Sequence, residues 1–214
     1  MYFLFINFKA YREATAENSI KLIKEIEENF PNEDRIIPVL NPLDAMVRTK
    51  LKKFIQHADP VLSGAKTGHI PVDLLPEYGI KGVLLNHSEK RINEVDLKKT
   101  IELCKENRIE TIVCAESLDE IRKFLELRPD FIAYEPPELI GGNISVSKSK
   151  PEIIQEAARI IGEKSTFIVG AGIKTREDVE KSIELGAKGI LVASGIVLSK
   201  NPIKAIQEML VWKE

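Results

Sequence analysis

The chain has 214 residues, 43% of them hydrophobic, with 31 basic side chains against 33 acidic ones and a formal net charge of −2. That supplies a full core for one large domain or two small ones, and the balance of charge gives no reason to expect nucleic acid or an anionic membrane as a partner. No apolar run approaches the roughly 20 residues that span a bilayer, and Cys104 and Cys114 stand in no metal-binding or redox spacing, so a reduced, cytoplasmic protein is expected in which both cysteines only pack.

The opening MYFLFINFK is apolar but short, and it lacks the charged start and small-residue cleavage site of a secretory leader. Residues 2–7 therefore read as a first strand. A helix is predicted over 15–29, where Ile20, Ile23 and Ile26 recur at helical spacing. Then come a strand at 35–40, a helix at 42–55, a weak strand at 59–63 and a short helix at 72–78. The fourth strand is 81–86, followed by a helix at 95–107. The fifth is 110–115, with a helix at 118–127. The sixth is 130–134, followed by a loop and a helix at 151–162. The seventh is 166–170, with a helix at 176–185. The eighth is 188–193, and the last helix, 202–211, opens on Asn201 as cap and Pro202 at its first position.

The strongest runs, TIVCA, FIAY, TFIVG and GILVA, are apolar on both faces. Strands buried on both faces belong to parallel sheets covered by helices. Eight such strand–helix units predict an α/β fold, a closed (β/α)8 barrel with outer helices, formed by residues 1–214 as a single catalytic domain. The length lies near the lower limit of about 200 residues for that architecture, so short helices and tight loops are expected. An open, doubly wound sheet would usually carry a glycine-rich fingerprint after its first strand, and INFKAY has none. The charged fraction of 30% exceeds the usual share of about 25% and suits surface ion pairs of a heat-adapted protein.

In such a barrel the reactive groups sit at the C-terminal ends of the strands. Strand one ends in Asn7, with Lys9 beyond it. Strand four ends in Asn86, His87, Ser88 and Glu89, and strand six in Glu135 followed by PPELIGGN. A lone lysine after a strand is usually a solvated surface residue, and a lone histidine there more often packs than reacts. A base, an acid and a cation gathered at one mouth are another matter. Small residues follow the next strands: Gly141-Gly142-Asn143, Gly170-Ala171-Gly172 and Ala193-Ser194-Gly195. They let backbone N–H groups approach an anion, and the loops after strands seven and eight hold phosphate in many such barrels. A short helical turn at 195–198, opened by Ser194, would add its positive end.

The motifs NFK at 7–9, NHSEKR at 86–91, AYEPPELIG at 133–141, GAGI at 170–173 and GILVASG at 189–195 resemble the triosephosphate isomerases, in the shorter form found in archaea. The match runs in order from the first strand to the last. It implies interconversion of dihydroxyacetone phosphate and D-glyceraldehyde 3-phosphate through an enediolate, with no metal and no organic cofactor. By the same resemblance Glu135 matches the base, and desolvation on loop closure would strengthen it. His87 matches a neutral electrophile, kept uncharged by donors at the turn that begins near Ser88. Lys9 matches the cation at the substrate, Asn7 its hydrogen-bonding neighbour, and Glu89 the carboxylate that holds Lys9. Backbone near Ile140 and Gly141, at Gly172, and at Ala193 with Ser194 would grip the phosphate, and the ELIGGN loop would close over it.

The sequence departs from the family at two places. The loop reads Gly141-Gly142-Asn143 where Gly-Thr-Gly is more common, and Lys66 stands where an aromatic residue or histidine is usual. The resemblance also implies a homo-oligomer, a dimer or a tetramer, in which the SGAKTGHI loop reaches a neighbouring subunit with Thr67 near its Asn7 and Glu89. His57 and His69 are expected to play no part. Two rival readings are another phosphate-binding barrel, which would not need NFK and NHSE together, and a non-catalytic barrel, which would not need to keep His87 and Glu135 in register.

Overall fold

The computed structural model describes residues 2–137 and 146–210. Eight parallel strands close into a barrel in chain order: β1 (Phe3–Asn7), β2 (Ile36–Leu40), β3 (Phe54–Ile55), β4 (Gly82–Leu85), β5 (Glu110–Ala115), β6 (Phe131–Tyr134), β7 (Thr166–Val169) and β8 (Gly189–Val192). The ring closes where β1 pairs with β8, Phe5 opposite Leu191. The (β/α)8 barrel read from the sequence is the fold of this chain.

Two-residue periodicity explains how each strand serves two cores. On β1, Leu4 and Ile6 face outward to the helices, while Phe5 faces the barrel axis. Phe5, Phe54 and Phe131 fill the interior with rings whose centroids lie 5.2 to 6.4 Å apart in tilted and edge-on pairs. Gly82 makes room for them, since a Cβ there would lie 2.2 Å from the Phe54 ring.

The helices described are α1 (Glu17–Asn29), α2 (Glu94–Glu106), α3 (Leu118–Leu125), α4 (Val146–Ser149), α5 (Pro151–Ile161), α6 (Arg176–Glu184), α7 (Ser194–Val197) and α8 (Pro202–Met209). On α1, Ile23 and Ile26 turn inward as expected and Leu22 joins them, but Ile20 is left 55% exposed. Local chemistry sets four of these starts. The Asn93, Ser117, Thr175 and Asn201 side chains accept the first free N–H groups of α2, α3, α6 and α8, each worth about 1 kcal/mol. No side chain at the start of α1 does this; the buried Asp44 carboxylate, from the loop after β2, accepts the Ala16 N–H at 2.9 Å instead.

The sequence reading fails between β2 and β4. The helix expected over 42–55 is a single 3-10 turn, Pro42–Asp44, and strand three is Phe54–Ile55 rather than 59–63. Beyond the turn the chain folds back under Lys53, whose buried amino group donates to the Ala45 and Val47 carbonyls at 2.8 and 2.6 Å. That brings Phe54 and Ile55 beside Val39 and Leu40. Residues 59–63 belong to a loop base: the Asp59 carboxylate accepts the Ile70 N–H at 2.7 Å. Residues Val72–Tyr78 form a 3-10 stretch with Pro76 inside it, because proline cannot supply the N–H that an α-helix needs there.

Candidate active site

The alternation that fills the barrel also decides what stands at its mouth. Phe5 and then Asn7 face inward along β1; Phe131, Ala133 and then Glu135 do so along β6; Leu191 and then Ala193 along β8. On β4 the alternation breaks. Asn86 takes a left-handed conformation (φ 60°), its side chain donates to the Cys114 carbonyl and accepts from the Ile92 N–H, and His87 lines the mouth in its place.

Lys9, His87 and Glu135 line one cleft there with Asn7, Gly172 and Ser194. The Lys9 backbone is left-handed (φ 48°), a strained conformation held by its N–H donating to Asn7 Oδ1 at 3.0 Å and by Gln56 Nε2 donating to its carbonyl at 3.0 Å. Its amino group donates to Glu89 Oε1 at 2.6 Å. His87 caps the 3-10 turn Ser88–Lys90, and its Nδ1 accepts the Glu89 N–H at 3.2 Å. An Nδ1 lone pair used this way leaves the ring proton on Nε2, and Nε2 lies 3.6 Å from Glu135 Oε2. Glu135 is 5% exposed, and its Oε2 accepts from the Cys114 thiol at 3.1 Å.

Across the cleft, Ala171 and Gly172 both take positive φ (65° and 71°) in the loop after β7. The turn after β8 is α7, opening on Ser194 with Ala193 as its cap, one residue from where the sequence placed it. These two loops pack closely, for a Cβ on Gly195 would lie 3.1 Å from the Ile173 carbonyl oxygen. Backbone N–H groups in the first turn of a helix lack helical partners and favour anions. The expected contributions of Ile140 and Gly141, and the ELIGGN loop as a whole, lie outside the described residues.

Thus the structure brings Asn7, Lys9, His87, Glu89, Glu135, Gly172, Ala193 and Ser194 to one mouth. His57 pairs with Asp59 at 3.2 Å and lines the adjoining groove with Glu89, and His69 sits on the exposed loop. Tyr11 and Lys174 also line the cleft and were not foreseen. Nor was Cys114, although its β5 position opposite Ala133, two residues before Glu135, would have given it away once the pairing register was known. Among the described residues, no cluster of His, Cys, Asp or Glu is arranged to hold a metal, and no helix is long and apolar enough to cross a membrane.

Comparison with known proteins settles what kind of barrel this is. The family model described as triosephosphate isomerase matches residues 2–209. The chain belongs to the triosephosphate isomerase family. It is 42% identical to the triosephosphate isomerase of Thermoplasma volcanium over 98% of this chain and 100% of that protein. It is 38% identical to that of Methanothermus fervidus over 96% of each chain, and 37% identical to that of Sulfurisphaera tokodaii over 97% of this chain and 93% of the other. The triosephosphate isomerase match takes in every strand of the barrel and every mouth residue named above.

In this triosephosphate isomerase barrel both cysteines are buried thiols. Burial pushes Cys114 well above the ordinary range, and the adjacent Glu135 carboxylate pushes it the same way; burial pushes Cys104 up to about 12. Both are therefore expected to resist a thiol reagent at pH 8 in the native protein and to react once it is denatured, which a mass shift on alkylation would read. The same shifts have a stability consequence. Unfolded thiols ionise near pH 8.5 or so, whereas the folded ones stay protonated. The unfolded state then holds fewer protons, so stability falls as pH rises through that window, by up to about 1.4 kcal/mol per pH unit for each thiol.

Proposed function

We propose that the protein interconverts dihydroxyacetone phosphate and D-glyceraldehyde 3-phosphate through an enediolate, serving glycolysis and gluconeogenesis, with Glu135 as proton acceptor and His87 as electrophile. The reading rests above all on the pairing of these two at 3.6 Å inside a cleft that also holds Lys9. The reaction moves one proton between adjacent carbons and a second between their oxygens. Glu135 takes it from C1 of the ketose, the C–H electrons form the enediolate double bond, and the carbonyl oxygen becomes an oxyanion. The Nε2–H of His87 donates to that oxyanion, and its neutral form suits the task because the Glu89 N–H occupies Nδ1. Nε2 passes its proton to that oxygen and takes up the hydroxyl proton of O1, so that C1 becomes the aldehyde carbon as Glu135 returns the first proton to C2; atoms and electrons then balance within the substrate, and no cofactor is called for.

Lys9 stabilises the negative charge that develops, and a preformed cation in a low-dielectric cleft does so without reorganising. Its salt bridge to Glu89 and its strained backbone both fix the amino group, which favours this role over a solvated surface lysine. Gly172, Ala193 and Ser194, with Ile140, form the phosphate subsite, and closure of the ELIGGN loop excludes water and strengthens every interaction inside. Residues 1–214 act as one catalytic unit, in the cytoplasm, where buried free thiols suit a reducing environment.

The working form is a homo-oligomer, a dimer or a tetramer built from dimers. Residues 63–69 are exposed throughout, and Leu43 and Met46 are 89% and 74% exposed in the loop after β2. A groove lined by Asn41, Gln56 and Glu89 lies beside the cleft, open to a loop from a second copy. Thr67→Arg is accordingly expected to lower the mass measured by light scattering towards the 24.1 kDa of one chain; an unchanged mass would exclude this loop from the interface.

A coupled assay of glyceraldehyde 3-phosphate conversion, run at several temperatures, tests the function itself. Absence of turnover throughout would mean that this mouth serves a different phosphorylated ligand.

A further inference from the structure

We propose that Gly170 is a positioning residue for Glu135: its missing side chain is the space in which the catalytic carboxylate lies. This inference rests on the reading of Glu135 as the base.

Gly170 follows β7 directly. In the β6–β7 register Ala133 stands opposite Ile168 and Tyr134 opposite Val169, and the next rung places Glu135 beside Gly170. The Gly170 N–H donates to the Tyr134 carbonyl at 3.1 Å, which ties the two strand ends together. Lateral neighbours in a parallel sheet point to the same face, and Ile168 and Ala133 both face the barrel axis. A side chain at 170 would therefore share the narrowing mouth with that of Glu135.

The Glu135 side chain leans into that space. A Cβ on Gly170 would lie 2.4 Å from Oε1, 2.6 Å from Cγ and 2.7 Å from Cδ, where ordinary contact starts at 3.4 Å. On the opposite flank the Cys114 thiol holds Oε2. One oxygen is thus tethered to β5 and the other rests over Gly170, just past β7. Gly170 is not needed for its backbone conformation: its φ lies outside the left-handed region, unlike that of Gly172 at 71°. Alanine can adopt the backbone at 170, so what excludes it is the carboxylate.

Relieving a 2.4 Å contact requires the carboxylate to move by about 1 Å, a misplacement that costs on the order of a hundredfold in rate. Gly170→Ala is therefore expected to lower kcat by about a hundredfold, with KM and the inhibition constant of inorganic phosphate held within about threefold. Overpacking should also lower Tm by roughly 3–10 °C. A merely structural role could produce that last effect, so the deciding measurement is a cycle. The Tm of wild type, Gly170→Ala, Glu135→Ala and the double variant is measured without reference to activity. With the carboxylate gone the added methyl has room, and the double variant should regain the stability lost by Gly170→Ala.

A kcat within threefold of wild type, or an equal loss of Tm in both backgrounds, would overturn the proposal. Should Gly170→Ala alone fail to fold, a folded double variant supports the proposal and an unfolded one refutes it. A wild type without isomerase turnover would sink the reading of Glu135 as base, while the Tm cycle would still report whether Gly170 makes room for it.

Discussion

Glu135→Gln is expected to lower kcat by about three to four orders of magnitude while inorganic phosphate still inhibits and the fold persists. The size follows from the role. A positioned base contributes typically 10²- to 10⁴-fold, and an amide cannot accept the proton at all. Glutamine keeps the shape, so it fits over Gly170, and its oxygen can still accept from the Cys114 thiol. The proposed phosphate subsite, Gly172 with Ala193 and Ser194, keeps every one of its residues. Glu135→Asp is a gentler probe: it retains the carboxylate but draws it back by one methylene, for a loss on the order of a hundredfold. Kinetics that show kcat and phosphate inhibition falling together would contradict the assignment, since a base acts on the carbon and not on the phosphate.

His87→Gln is expected to cost about 10²- to 10³-fold in kcat, as removal of one oriented donor to an oxyanion does elsewhere, with Tm changed by only a few degrees. The glutamine carbonyl can accept the Glu89 N–H in place of Nδ1, and its amide can still donate, but from a longer and freer chain. Its donor is no longer fixed 3.6 Å from the carboxylate. Loss of the fold, rather than of turnover, would show that this 7%-exposed histidine is present for packing. Because the roles proposed for His87 and Glu135 fall on one intermediate, the double variant should lose less than the product of the two single losses.

The parts of this molecule that were legible in the sequence share a cause. β5, β6, β7 and β8 are short, apolar on both faces and closed by glycine or polar residues, so their ends could be placed and the side chains beyond them, Glu135 and Ala193, read off as mouth residues. α8 announces itself through the Asn201 cap and Pro202. β3 was illegible for the opposite reason. It is two residues long, follows a lysine-rich stretch and depends on Lys53 bonding carbonyls to which no periodicity points.

By itself the sequence determined the barrel and, β3 apart, the places of its strands and the residue types at their ends, because burial on both faces and turn chemistry are local properties. Only the tertiary structure decided which groups meet across the mouth. The Cys114 thiol on Glu135, Gly170 beneath the same carboxylate, and the Asp44 carboxylate capping α1 all join residues far apart in the chain. The first two are set by the pairing register between β5, β6 and β7, and a register shift of one residue would point Cys114 and Glu135 to the other face; the third is set by the way the turn after β2 packs on the start of α1.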